Sequence, residues 1–222
     1  MRRFAEILDL AAARKGGVAA VMAGMPAVRT ADELAAIPDR QWLAQMARGI
    51  MQAGISWAVV DARWAGISEA FHQFDTAAVA MIEGDALDDL LMDPRVIRSG
   101  PKLVAIRDNA VFIRAVAAEH GSFGRRVGDW PARDFAGLLT WLAKEGSRLG
   151  GATGAYMLRA MGKEGYILSQ DVTARLEAEG VVDGPVTSAR ALQAVQAAFN
   201  QWQQESGCSL TVISRVLAQS IG

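Results

Sequence analysis

Residues 149–156 read Leu-Gly-Gly-Ala-Thr-Gly-Ala-Tyr, and one carboxylate, Asp171, follows in the segment Gln170–Leu176. A glycine-rich turn that opens a helix leaves the first backbone N–H groups without intrahelical partners. The helix dipole also favours an anion at that end. Gly150, Gly151, Thr153 and Gly154 are therefore candidates to hold a phosphate, with Asp171 facing whatever lies beside it. This pairing points to an enzyme that grips a nucleic-acid backbone and works on the adjacent nucleotide. Plainer readings stand next to it: an interhelical loop for the glycines, and the N-cap of a helix over 172–178 for Asp171. A capping carboxylate is ionised and held in place, so capping and chemistry at Asp171 are compatible.

Colinear segments carry a resemblance. Gln52-Ala53-Gly54-Ile55-Ser56-Trp57 resembles the QAGLSW segment of the type I 3-methyladenine DNA glycosylases, a family within the helix-hairpin-helix glycosylase superfamily. Phe71-His72-Gln73-Phe74-Asp75 is similar to that family's F-x-x-F-D. Val96-Ile97-Arg98 with Lys102 and Asn109 is similar to its IIR…K…NA stretch, and Gly151–Met157 to its GxTxCYxF hairpin. The similarity spans roughly residues 42–176. It implies an all-α, helix-hairpin-helix glycosylase-like fold, with a divergent helical segment at residues 1–40 and the glycosylase-like domain at 41–222. The implied activity is hydrolysis of the N-glycosidic bond of alkylated purines such as 3-methyladenine, in base excision repair. The implied partner is double-stranded DNA with a damaged base, bound by a monomer without a cofactor.

The departures from the family are specific. Residues 1–40 lack its N-terminal segment rich in Tyr, His and Trp. Family members hold a structural zinc through two Cys and two His. Here only Cys208, His72 and His120 exist, with Val172 and Leu176 at two ligand positions, so no metal site is expected. The family's base-binding Glu aligns with Gly49. That leaves three readings: an altered lesion range, room for a larger base or another side chain, or a lapsed relative that binds damaged DNA or a protein without hydrolysis. The wider superfamily places an essential Asp after the hairpin helix in a D-x-x-x-x-R or similar pattern, and Asp171 with Arg175 is similar to it. Ser209–Leu217 is similar to the closing helix of some members. The hairpin stretch Gly154-Ala155-Tyr156 contains no Lys, which implies a monofunctional hydrolase, and one Cys excludes an iron–sulfur cluster.

Cleaving a base from its sugar builds positive charge on the sugar. A carboxylate opposite the leaving base stabilises that charge and orients or deprotonates water, the role implied for Asp171. The nucleotide must first leave the duplex at a cost of a few kcal/mol, part of which stacking in the pocket recovers. Trp57 is either a wall of that pocket or an ordinary core aromatic. Trp64 and Tyr156 carry the same two readings. The expected base pocket is Trp57, Gly49 and Tyr156, suited to a cationic alkylated base because a positive ring is drawn to aromatic faces. Lys102 and Arg98 join the hairpin residues as expected DNA contacts. Together with Arg95, Arg107, Arg125, Arg126 and Arg148 they form either a positive strip or scattered solvated surface.

The elements that must position these groups read as helices. Leu43-Met46-Ala47-Ile50, Leu103-Ile106-Ala110-Ile113-Ala117 and Leu192-Val195-Phe199-Trp202 repeat at helical spacing. Thr30 with Glu33 is a capping box, Asp75 and Ser188 are N-caps, and Pro101 suits a first turn. Gly121, Gly146, Gly162 and Gly180 read as helix stops, and Pro94, Pro131 and Pro185 as breakers. At 222 residues and 51% hydrophobic content, the chain can bury one substantial core or two closely packed lobes. A lone cysteine excludes a disulfide framework and agrees with a reducing cytoplasm, the expected location. Glu6 and Asp9 interrupt the apolar run a signal peptide needs, and no stretch is long and apolar enough to span a membrane. A net charge of −1 weighs against a dedicated nucleic-acid binder, although net charge does not describe a face. The acidic residues between Glu83 and Asp93 lack calcium-loop spacing and read as a solvated helix face. There is no Walker loop, dinucleotide fingerprint or nucleophile elbow.

Overall fold

A computed structural model describes residues 1–221, and all regular structure among them is helical. The α-helices are α1 (Phe4–Lys15), α2 (Val18–Met22), α3 (Ala31–Ala35), α4 (Asp39–Gln52), α5 (Trp57–Ala70), α6 (Thr76–Ala80) and α7 (Asp85–Met92). They continue as α8 (Gly100–His120), α9 (Phe123–Asp129), α10 (Phe135–Glu145), α11 (Ala152–Ala160), α12 (Gln170–Ala178), α13 (Ala189–Ser206) and α14 (Leu210–Gln219). Local signals set most boundaries. Thr30 Oγ1 accepts from the Glu33 N–H (3.2 Å) while Glu33 accepts from the Thr30 N–H (2.7 Å). Asp75 caps α6 through the amides of Ala77 and Ala78, and Ser188 caps α13 through that of Ala191. Gly121, Gly162 and Gly180 follow their helices with positive φ.

The chain divides into two compact units: Met1–Arg29, Trp130–Leu138 and Gly162 onward in one, Thr30–Asp129 and Leu139–Met161 in the other. In the first unit α1 packs on α13 and α14, and α12 also rests on α14. An aromatic column, Phe135–Tyr166–Phe199–Trp202, runs through its core with neighbouring centroids 4.9, 4.3 and 5.8 Å apart. The buried Tyr166 hydroxyl donates to Gln196 Oε1 (3.2 Å), and burial first, then the nearby Asp134, raises its pKa.

The second unit is built on α4, which packs against both α8 and α11. Its apolar stripe of Trp42, Leu43, Met46, Ala47, Ile50 and Met51 is buried, as the helical period requires. The F-x-x-F-D segment forms a left-handed turn in which His72, Gln73 and Phe74 all have φ between +52° and +58°. That conformation costs about 1–2 kcal/mol per non-glycine residue. Packing offsets it: Phe74 stacks between Trp64 (5.3 Å) and Phe71 (5.8 Å), and the Ser68 hydroxyl donates to Gln73 Oε1.

Candidate functional site

Two helices of the second unit face each other across a cavity of about 350 Å³. α4 contributes Gln45, Gly49 and Gln52, spaced i, i+4 and i+7 and therefore on one stripe. α11 contributes Thr153, Tyr156, Met157 and Ala160, again at helical spacing, and Trp57 at the start of α5 completes the lining. Gly49 lies against the hairpin helix: a Cβ built there would sit 3.2 Å from Thr153 Cγ2. Trp57 is 58% exposed and Tyr156 44%, and their rings meet edge to face at 6.1 Å and 85°. Core aromatics are not left so open. The three expected pocket residues, Trp57, Gly49 and Tyr156, thus line one cavity. Thr153, expected at the phosphate, lines it too.

The hairpin itself is held from below. Gly151, at φ +59° and ψ −134°, is the N-cap of α11, and no side chain caps that turn. Gly150 and Gly151 are exposed, and their amides donate no hydrogen bond among the described residues. Gly154 must be glycine because a Cβ would meet the Leu149 carbonyl at 2.5 Å. The fully buried Asn109 clamps the loop: its Nδ2 donates to the carbonyls of Ser147 and Ala105 (both 2.8 Å), and its Oδ1 accepts from the Ser147 N–H (3.0 Å). Asn109→Ala is expected to cost about 1–3 kcal/mol, measured by urea unfolding, because it leaves Ser147 without its partners. An unchanged midpoint would mean that the loop holds its shape without the clamp.

Several expected cations are engaged elsewhere. Lys102 is only 9% exposed, and its ammonium donates to the carbonyls of Met51 (2.9 Å) and Ala53 (2.7 Å) at the C-terminus of α4. A cation is favoured there by the helix dipole, although burial and then the nearby Arg148 lower the Lys102 pKa. Lys102 therefore pins the turn leading to Trp57, and its charge lies inside the fold instead of at the surface. The positive strip is also broken up. Arg95 pairs with Asp93 (2.6 Å), Arg107 with Glu83 (2.7 Å) and Arg125 with Asp32 (2.9 Å), while Arg126 lies over the Trp141 ring. Arg98 and Arg148 remain exposed and without a carboxylate partner among the described residues, Arg148 with φ +58° on the hairpin loop. Trp64 does not line the cavity; it stacks on Phe74 beneath the Arg48 guanidinium (4.7 Å).

Asp171 belongs to the first unit, in the opening turn of α12. The N-cap there is Ser169, whose Oγ accepts from the Val172 N–H (3.3 Å), so Asp171 is not the cap. Its side chain is exposed and has no partner among the described residues. Arg175 does not pair with it. That guanidinium is buried, donating to the hydroxyl (2.8 Å) and carbonyl (2.6 Å) of Ser220 and to Glu179 (3.2 Å). Val172 and Leu176 are apolar core residues, and no group of three His, Cys, Asp or Glu among the described residues fits a metal ion. The residues present therefore do not fit the structural zinc of the resembled family.

Sequence reasoning missed Gln45 and Gln52 as cavity groups and Asn109 as a clamp. The available signal was the stripe Gln45-Gly49-Gln52, polar on a helix whose other stripe is apolar.

A family model described as methyladenine glycosylase matches residues 35–135. Among solved structures, the fold is similar to that of 3-methyladenine DNA glycosylase I from Staphylococcus aureus. The two share 24% identity over 56% of this chain and 77% of that one, with a TM-score of 0.51. Another 3-methyladenine DNA glycosylase I matches at 24% identity over 65% of this chain and 87% of that one, with a TM-score of 0.50. A variant solved in complex with 3-methyladenine matches at 24% identity over 57% and 80%, also at 0.50. At this identity the structural likeness is one of fold, and it is the all-α fold of DNA glycosylases. The family model lies across α4, α5 and α8, and over that stretch the chain is similar to the methyladenine glycosylases.

Proposed function

We propose that the chain is a monofunctional DNA glycosylase that removes alkylated purines such as 3-methyladenine from double-stranded DNA in the cytoplasm, without a cofactor. The observation that carries this reading is the cavity between α4 and α11, lined by the exposed Trp57–Tyr156 pair. A flat base turned out of the duplex needs apolar faces to recover its lost stacking, and this cavity offers them. The relative solved with 3-methyladenine supports a small methylated base as the ligand class. The glycosylase-like domain would run from about residue 41, with residues 1–40 as a divergent addition.

In this scheme the bare amides at Gly150 and Gly151 hold a phosphate, and Arg98 and Arg148 add charge at the surface. The bond from C1′ to the base nitrogen breaks, and its electron pair leaves with the base. Water then bonds to C1′ and gives up a proton. Asp171 stabilises the positive sugar and accepts or directs that proton. No lysine in the hairpin helix is available to attack the sugar, so the strand stays intact.

Incubation with methylated duplex DNA is expected to release free methylated base and leave uncut abasic strand. Release no faster than spontaneous depurination would remove the proposal. Salt-sensitive duplex binding without release would favour instead a relative repurposed for binding damaged DNA, the reading motivated by Gly49 in place of the family's Glu.

A further inference from the structure

We infer that the cavity takes cationic N-alkylpurines of both the 6-amino and the 6-oxo class, and does not select adenine alone. This rests on the cavity being the base site. The inference comes from the polar residues that line it: Gln45, Gln52, Thr153 and Tyr156, which bring amides and hydroxyls and no charged group. No carboxylate, lysine, arginine or histidine lines it.

A carboxylate only accepts hydrogen bonds and an ammonium only donates them, so either would sort a 6-amino from a 6-oxo edge. A glutamine amide does both, and a half-turn of its terminal torsion exchanges donor for acceptor. Gln45 and Gln52 are half-buried, and neither amide has a hydrogen-bond partner among the described residues. Nothing therefore sets which way they present. The two hydroxyls can likewise rotate to donate or accept. The edge-reading groups are thus indifferent between adenine-type and guanine-type rings.

Selection falls to ring charge and shape. Trp57 and Tyr156 attract a cationic ring, and Met157 and Ala160 provide apolar contact. A volume of about 350 Å³ lies at the small end of ligand pockets. The cavity also lacks an acid to protonate a departing neutral base. The substrate must already carry its positive charge, as N3- and N7-alkylpurines do, so that the bond electrons neutralise the base as it leaves.

The test uses the full-length protein on dimethyl-sulfate-treated duplex, reading 3-methyladenine and 7-methylguanine together, with a hypoxanthine-containing duplex in parallel. The two methylated bases should leave with enzymatic enhancements within ~10-fold of each other, and hypoxanthine should not be released above background. The near-isosteric Gln45→Glu, an acceptor-only group, should then shift preference towards 3-methyladenine by ~10-fold. Circular dichroism melting of the variant confirms its fold. Release of 3-methyladenine with 7-methylguanine below ~1% of it would overturn the inference and leave the glycosylase reading standing. Efficient hypoxanthine release would overturn the charge requirement. Release of no base would overturn both.

Discussion

Asp171→Asn is expected to slow base release by at least ~100-fold, because a neutral amide cannot stabilise charge developing on the sugar. Ser169 is the cap of α12, and Arg175 is committed to Ser220 and Glu179. With its side chain exposed and without a partner among the described residues, Asp171 serves the fold only through its charge in the first turn of α12, worth a few tenths of a kcal/mol. The melting temperature of Asp171→Asn should therefore match wild type within about 1 °C, which corresponds to a few tenths of a kcal/mol. Single-turnover excision with thermal melting on the same preparation checks both. Equal excision by variant and wild type would take Asp171 out of the mechanism. A large loss of melting temperature would show that the residue has a packing role after all.

Glu179→Leu should be the most destabilising single change, by about 3–5 kcal/mol. The Glu179 carboxylate is almost wholly buried and accepts from the backbone N–H and guanidinium of Arg2 (both 2.8 Å) and from the guanidinium of Arg175 (3.2 Å). Removing it strands the buried Arg175 and frees the N-terminal residues, which Trp202 also holds by donating from its indole to the Arg2 carbonyl (3.0 Å). At about 2–4 °C per kcal/mol for a chain of this size, the melting temperature should fall by about 10 °C. Burial alone would raise the Glu179 pKa, but the bonds from Arg2 and Arg175 outweigh it and the net direction is down. A depressed carboxylate pKa stabilises the fold above the unfolded value and loses that contribution as pH falls through the folded value. Wild type should therefore lose stability as pH drops below the ordinary glutamate range. Glu179→Leu should lose less over the same interval, and parallel losses would show that other carboxylates dominate.

Local features were legible in the sequence because their causes are local. The Thr30–Glu33 capping box, the caps at Asp75 and Ser188 and the positive-φ glycines need only their neighbours along the chain. Trp57, Gly49 and Tyr156 follow from colinear motifs, and α5, α4 and α11 respectively carry them to one cavity. Lys102 was misread because its ammonium meets carbonyls about fifty residues away, at Met51 and Ala53, so only the packing of α8 on α4 reveals its role. The same distance in sequence hid Asn109, whose partner Ser147 lies on the hairpin loop. The choice between a positive strip and scattered surface stayed open in the sequence for a related reason. Helical spacing shows which arginines share a face, but not that Asp93, Glu83 and Asp32 sit close enough to neutralise them.

In the proposed function a damaged base enters the cavity that Trp57 lines. The most direct test of this is the single-turnover excision rate of 3-methyladenine from methylated duplex by wild type and by Trp57→Ala. Because Trp57 is mostly exposed, its loss should leave melting nearly unchanged. Excision should slow by ~10-fold or more, since one aromatic stacking contact is worth about 1–3 kcal/mol. Equal rates in the two proteins would mean that the base is received elsewhere.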